Sequence, residues 1–262
     1  MTVPLADELS GGGKANPATL SYLGHATVVV ELDGVRIITD PVLRTRVGPL
    51  RREALTPAGG SPAGPDLILV SHLHRDHADL PSLRRLGRAT RLLCPEGAGR
   101  FFARRGFTAV EELAPGGSTR VGPLGVSAVE AIHDGGRTPP RHGPAVGYLI
   151  EGTRRVYFAG DTDLFDGMAR LGGPDVALLP IWGWGPSLGP GHMDPRRAAR
   201  AAAMIRPRVM VPIHWGTLYP RFLKHFRPGP LFLPPQELAR AMSELAPEVE
   251  VRLLAPGMAT RF

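Results

Sequence analysis

A chain of 262 residues that is 43% hydrophobic and 21% charged can bury a substantial core, which excludes a disordered chain and a small disulfide-stapled scaffold. The formal charge is +7 and nearly all of the basic charge is arginine, since lysine stands only at positions 14 and 224. The arginine pairs at 51–52, 84–85, 104–105, 154–155 and 196–197 are scattered, so they offer no single tract for nucleic acid and argue only weakly for an anionic substrate.

The lone Cys94 cannot form an internal disulfide, and it follows an apolar run, so it reads as a buried strand residue in a reducing compartment. Met1 to Pro17 lacks the basic start and apolar core of a secretory signal. No apolar run approaches the roughly 20 residues that span a membrane. The expected location is the cytoplasm. Oligomeric state stays open.

Residues 1–17, with Ser10-Gly11-Gly12-Gly13, read as a flexible N-terminal arm, and 18–262 as one domain. Thr19 to Leu23 reads as a strand, broken by Gly24-His25, and Ala26 to Leu32 as another. Asp33-Gly34 is a two-residue hairpin signal leading into Val35 to Thr39, and Asp40-Pro41 ends that strand. Residues 44–66, rich in Arg, Pro and Gly, read as a loop along a cleft.

The centre of the chain is Leu67-Ile68-Leu69-Val70-Ser71-His72-Leu73-His74-Arg75-Asp76-His77. Its start is a short buried strand, and four potential metal ligands then fall within six positions. Extended backbone sends His72 and His74 to one side, with Asp76 continuing that spacing and His77 pointing elsewhere. One loop can therefore serve two neighbouring ions.

A short helix is expected at 81–86, a strand at 91–94 and a helix at 96–105. Strands follow near 107–113 and 119–132, the latter running into His133. A strand pair at 145–151 and 154–159 ends in Gly160-Asp161-Thr162. A helix at 163–171 and a buried strand at 176–179 lead to a Trp-, Gly- and Pro-rich loop over 181–193. Asp194-Pro195 has the N-cap and first-turn chemistry of a helix start. The strand at 209–213 runs into His214-Trp215-Gly216-Thr217, and a helix at 235–246 and a strand at 249–254 close the chain.

Four apolar strands thus each end in a candidate ligand: His72, His133, Asp161 and His214. In sheets covered by helices, sites gather where strands end. Alone, His133 or His214 reads as a core or loop histidine as readily as a ligand, and Asp161 as a turn or cap residue. Together with His74, Asp76 and His77 they make seven donors for one site.

The order His72-x-His74-x-Asp76-His77, then His133, Gly160-Asp161-Thr162 and His214, resembles the metallo-β-lactamase superfamily. The resemblance spans Tyr22 to about Gly257. It implies an α/β fold, a four-layer αβ/βα sandwich with two divalent ions between its sheets. Residue by residue, His72, His74 and His133 would hold one ion and Asp76, His77 and His214 the other, with Asp161 bridging. Zinc is the default for such nitrogen and oxygen donors, and manganese and iron suit the same groups.

Leu23-Gly24-His25-Ala26-Thr27, Gly191-His192-Met193-Asp194-Pro195 and Pro212 to Thr217 resemble the branch containing N-acyl-phosphatidylethanolamine phospholipase D and ascorbate-6-phosphate lactonase. The implied activity is hydrolysis of a phosphoester, lactone or related ester by a metal-bridging hydroxide. Two ions at +4, less two aspartates and a hydroxide, leave about +1, which favours a small anionic or ester substrate. Asp76 is the candidate to orient the nucleophile or carry its proton. His25 and His192 are further catalytic candidates, weighed against a turn role and a helix-entry hydrogen bond. His142 reads as a surface residue, His225 as structural or exposed, and Trp182 and Trp184 as packing or a pocket wall. The competing functions are a nuclease of the same fold and a non-hydrolytic metal-binding or redox protein. Diiron redox relatives carry Glu at the motif's second histidine, where this chain has His74.

Overall fold

The computed structural model describes residues 18–54, 64–133 and 145–262. The arm expected over 1–17, and His142, lie outside them. The opening meander is β1 (Thr19–Gly24), β2 (Thr27–Leu32) and β3 (Val35–Thr39), paired antiparallel in sequence order. Two short strands follow, β4 (Arg46–Val47) and β5 (Leu50–Arg52), where a loop was expected. Then come β6 (Leu67–Leu69), α1 (Leu80–Leu86), β7 (Arg91–Pro95), α2 (Gly99–Ala103) and β8 (Val110–Leu113).

The strand expected over 119–132 is a hairpin, β9 (Ser118–Val121) and β10 (Leu124–Glu130), because Gly122 takes a φ of 56° and turns the chain. It leads to β11 (Val146–Glu151), β12 (Arg155–Phe158) and β13 (Val176–Pro180). The helix expected at 163–171 is a 3-10 turn over Asp166–Leu171. Next are α3 (Pro195–Ile205), β14 (Val209–Ile213), β15 (Leu218–Pro220), α4 (Pro234–Leu245), β16 (Glu250–Val251) and β17 (Ala259–Arg261).

The strands form two seven-stranded mixed sheets, ordered β17-β1-β2-β3-β6-β7-β8 and β16-β14-β13-β12-β11-β10-β9. A third small sheet, β15-β5-β4, explains the unexpected strands: β5 forms because Leu218–Pro220, far along the chain, pairs with it. Alternation along each strand sets the layers. Val28, Ile37, Leu67 and Leu69 of the first sheet share an interior with Val146, Phe158, Leu178 and Val211 of the second. The opposite faces carry the helices: Ile38, Ile68 and Leu92 pack with Leu83 and Phe102 of α1 and α2, and Tyr157, Ala177 and Met210 with Ala198, Ala202 and Leu238 of α3 and α4. This is the metallo-β-lactamase fold, its layers helix, sheet, sheet, helix.

Strand direction then decides where the polar ends go. β3, β6 and β7 run parallel, as do β12, β13 and β14. β1 is two antiparallel steps from β3, and β10 two from β12, so each points the same way as those strands. The chain therefore leaves β1, β3, β6, β10, β12 and β14 along one rim, which carries His25, Asp40, His72, His133, Asp161 and His214 in turn. Two backbone bonds stitch the sheets there: His214 N–H donates to the His25 carbonyl at 2.8 Å, and Val146 N–H to that of Ser71 at 3.0 Å.

Candidate metal centre

The turn after β6 divides its ligands. His72 follows the strand, but the His74 carbonyl accepts from His77 N–H at 3.0 Å and Ala78 N–H at 2.8 Å. Extended spacing thus ends at His74, and Asp76 does not continue it, because the chain has already begun to coil. His72 and His74 face one way, and Asp76 and His77 swing toward β1 and β14.

Two groups of donor atoms result. His72 Nε2 lies 2.9 Å from His74 Nδ1, which lies 3.2 Å from His133 Nε2. In the second group, His77 Nε2 is 3.0 Å from His214 Nε2, and Asp76 Oδ2 is 3.7 and 3.8 Å from those two nitrogens. In each group all donor atoms lie within 4.8 Å of one another. Asp161 stands between the groups. Its Oδ2 is 3.2 Å from His77 Nε2 and 4.0 Å from His72 Nε2, and its Oδ1 is 3.2 Å from His214 Nε2. The side chain is buried, yet Oδ1 has no hydrogen-bond partner among the described residues. A buried unsatisfied carboxylate oxygen is costly unless a cation or ligand completes it.

Local backbone chemistry aims these groups. Asp161 follows Gly160, whose φ of 61° favours glycine and where a Cβ would come within 2.5 Å of the Ser71 Cβ. His25 and His214 both sit in the left-handed region, at φ 58° and 61°. Non-glycine residues pay for that conformation, and such strain gathers at functional sites. Thr217 supports it by accepting from His25 N–H at 2.9 Å.

The far ring nitrogens are pinned. Nδ1 of His77 donates to Asp40 Oδ2 at 2.6 Å, that of His133 to the Gly191 carbonyl at 2.9 Å, and that of His214 to the Trp182 carbonyl at 2.9 Å. His72 Nδ1 is 3.0 Å from Ser71 Oγ, whose hydroxyl donates to Asp40 Oδ2 at 2.6 Å. A proton held on Nδ1 leaves the Nε2 lone pair free to face inward, the arrangement that orients imidazole ligands in metal sites.

Protonation is set by burial and mutual charge. Burial, with help from His214, lowers the His25 pKa to about 3, and burial with His133 takes His74 to about 4. Burial also lowers His72 and His133. For His77 burial acts downward but is outweighed by Asp161, Asp40 and Asp76, which raise it well above the usual imidazole value. Burial acts upward on Asp76 and Asp161, yet the surrounding histidines hold both well below the carboxylate range.

The structure gathers all seven predicted donors, and the two other histidines singled out lie beside them. His25 Nε2 is 3.0 Å from Asp76 Oδ2, and the residue is buried. His192 Nε2 is 3.4 Å from Asp161 Oδ2, with its Nδ1 donating to the Pro190 carbonyl at 3.0 Å. The sequence marks Asp40 only as a strand terminator, although it closes β3 as the other site residues close their strands. We expect Asp40→Asn to weaken metal affinity about 10- to 100-fold: its one remaining oxygen is claimed by Ser71 N–H, which puts an amide NH2 where the oxygen that orients His77 stood. Competition with a chelating dye measures this, and wild-type affinity would refute it. A cavity of about 380 Å³ opens beside the cluster, bounded by His74, Arg75, His133, His192 and the 183–190 loop.

Imidazoles and carboxylates at the shared rim of two mixed sheets, beside an open cavity, define a metal-dependent hydrolase. The family model described as "Beta-lactamase superfamily domain" matches residues 35–215. A UPF0173 metal-dependent hydrolase of Methanopyrus kandleri is 35% identical over 253 residues, covering 91% of this chain and 97% of that protein. One from Aeropyrum pernix is 32% identical over 263 residues, covering 94% and 98%. Among solved structures, Igni18, a metallo hydrolase from Ignicoccus hospitalis, superposes with a TM-score of 0.73 at 28% identity, covering 94% of this chain and 99% of that one. The isothiocyanate hydrolase from Delia radicum gut bacteria shares the fold, with a TM-score of 0.69 at 18% identity over 93% and 98%. The chain belongs to the metallo-β-lactamase superfamily of metal-dependent hydrolases, in the UPF0173 family. Among the described residues no helix is long and apolar enough to cross a membrane.

Proposed function

We propose that this protein is a dinuclear hydrolase of a small phosphoester, lactone or related ester. One observation carries the reading: buried Asp161 lies between two groups of inward-facing donors and keeps an unsatisfied oxygen. The residues fit a pair of divalent ions. His72, His74 and His133 would hold one, Asp76, His77 and His214 the other, and Asp161 both. The donors are nitrogen and carboxylate oxygen without thiolate, since Cys94 is buried against α1 and α2, so zinc, manganese or iron suits them. Bound ions supply Lewis acidity and a hydroxide nucleophile at neutral pH.

The chain's own groups do the rest. Asp76 Oδ2 accepts from His25 Nε2, which holds the carboxylate in place to orient an attacking water. His25 is a positioning residue. His192 faces the cavity beside Asp161, and its pKa is raised because Asp161 outweighs burial, so it can donate a proton to a leaving oxygen. Trp184, in the 183–190 loop, walls the cavity. The placement of His25 and His192 supports affinity with the phospholipase D and lactonase branch.

The test is a panel of phosphodiester, phosphomonoester, lactone and thioester substrates on protein reconstituted with each metal. We expect redox-inert zinc, or else manganese, to support turnover of at least one class, without competition from RNA or DNA at physiological salt. Oxygen consumption by the iron form with no hydrolysis would sink the reading.

A further inference from the structure

We propose that Arg75 binds a second, non-reacting anion of the substrate, a carboxylate or phosphate set apart from the bond that is cleaved. This rests on the hydrolase reading above and adds to it a substrate class, the doubly functional small acid.

Arg75 sits between two donors of different groups, His74 and Asp76, and its side chain lines the cavity. The remaining charged side chains lining that cavity, Asp76 and Asp161, belong to the donor cluster, and the 183–190 loop contributes none. Arg75 is therefore the one permanently cationic group on the wall among the described residues. It makes no hydrogen bond or ion pair with any of them, whereas Arg44, Arg91 and Arg197 are held by Asp79, Glu111 and Asp163. Its guanidinium has donors to offer in the planar fork that matches carboxylate and phosphate oxygens.

Its backbone is not free to drift. The bonds from His77 and Ala78 to the His74 carbonyl close the turn that carries Arg75, and Asp76 and His77 beside it are buried. Anchoring on both sides pre-organises the position and lowers the cost of ordering it on binding. A cavity of about 380 Å³ is at the small end for ligand sites, so an anion on Arg75 and a bond at the donor cluster belong to one small molecule. Trp184 offers an apolar surface for the stem joining them.

The test uses metal-loaded protein and short ω-carboxyalkylphosphonates, each paired with its methyl-terminated counterpart. The phosphonate is common to both members, so their affinity ratio reads the distal carboxylate alone, without turnover. We expect the best pair to favour the carboxylate about 10-fold in wild type, as for a charge-assisted contact at a solvent-open site. The ratio should fall to near unity in Arg75→Ala, keep part of its value in Arg75→Lys and invert in Arg75→Glu. Arg75 is exposed, so these changes leave the core intact. A wild-type ratio of unity for every pair, or a preference that survives Arg75→Ala, overturns the assignment. Failure of the hydrolase reading shows separately, as absence of turnover on the substrate panel, while the pair ratio still reports on Arg75.

Discussion

Asp161→Asn is expected to lower turnover about 10²- to 10³-fold, the scale of losing a preorganised charge at a reacting centre. Asparagine keeps the shape but removes the negative charge. That charge faces Nε2 of His77 and His214 at 3.2 Å, of His192 at 3.4 Å and of His72 at 4.0 Å. Asp161 thus reaches both donor groups and His192 at once. The variant should therefore bind less metal, measured by elemental analysis after gel filtration, and His192 should lose the partner that raises its pKa. Gly160 and Thr162 keep the backbone in place, so near-ultraviolet circular dichroism should match the wild type. Full turnover with full metal content would show that Asp161 serves only as a turn residue.

Metal removal should be the largest perturbation of stability. In each group, imidazole nitrogens face one another at 2.9 to 3.2 Å, and the far nitrogens of His72, His77, His133 and His214 are pinned, an arrangement that a cation satisfies. At ion concentrations about 1,000-fold above Kd, binding to the folded state alone adds about 4 kcal/mol. For a chain of this size that corresponds to a rise in Tm of roughly 10 °C. Scanning calorimetry with and without chelator measures it, and identical melting curves would count against a metal centre.

Acid should act in the same direction. Folded His25 and His74 have pKa values of about 3 and about 4, and His72 and His133 are lowered too, all chiefly by burial. The unfolded chain takes up protons near pH 6.5 that these folded side chains refuse, so their contribution falls as pH drops from about 6.5 toward 4. His77 runs oppositely: its contribution is complete below the usual imidazole value and is lost as pH rises through its raised pKa. With four histidines lowered in this way, the urea midpoint of chelated protein should decline between about pH 7 and pH 5. Protons also compete with metal for the same nitrogens, which steepens the decline for the loaded protein.

Much of this was legible because chemistry and punctuation coincide in the chain. Asp33-Gly34 can hardly be other than a hairpin, and Asp194-Pro195 starts its helix with the Asp194 side chain accepting from Arg197 N–H at 2.7 Å. His72 to His77 is too dense in donors for an ordinary turn. Less legible were features made by distant partners. β5 exists because β15 lies beside it, and β17 because β1 does. Asp40 is indistinguishable from a strand stop until His77 and Ser71 are seen to donate to it. Asp76 follows the alternation only on paper, since a coil after His74 costs nothing in local propensity.

The order of residues alone determined which donors exist and that each follows an apolar strand, because burial patterns and ligand chemistry are local properties of the side chains. Only the tertiary structure decided which donors share a group, that Asp161 stands between the groups, that His25 supports Asp76, and that Arg75 borders the cavity. Those relations depend on strand direction and on the packing of two sheets face to face, which bring together atoms 189 positions apart (His25 and His214, joined backbone to backbone at 2.8 Å), and no local pattern encodes a distance of that kind.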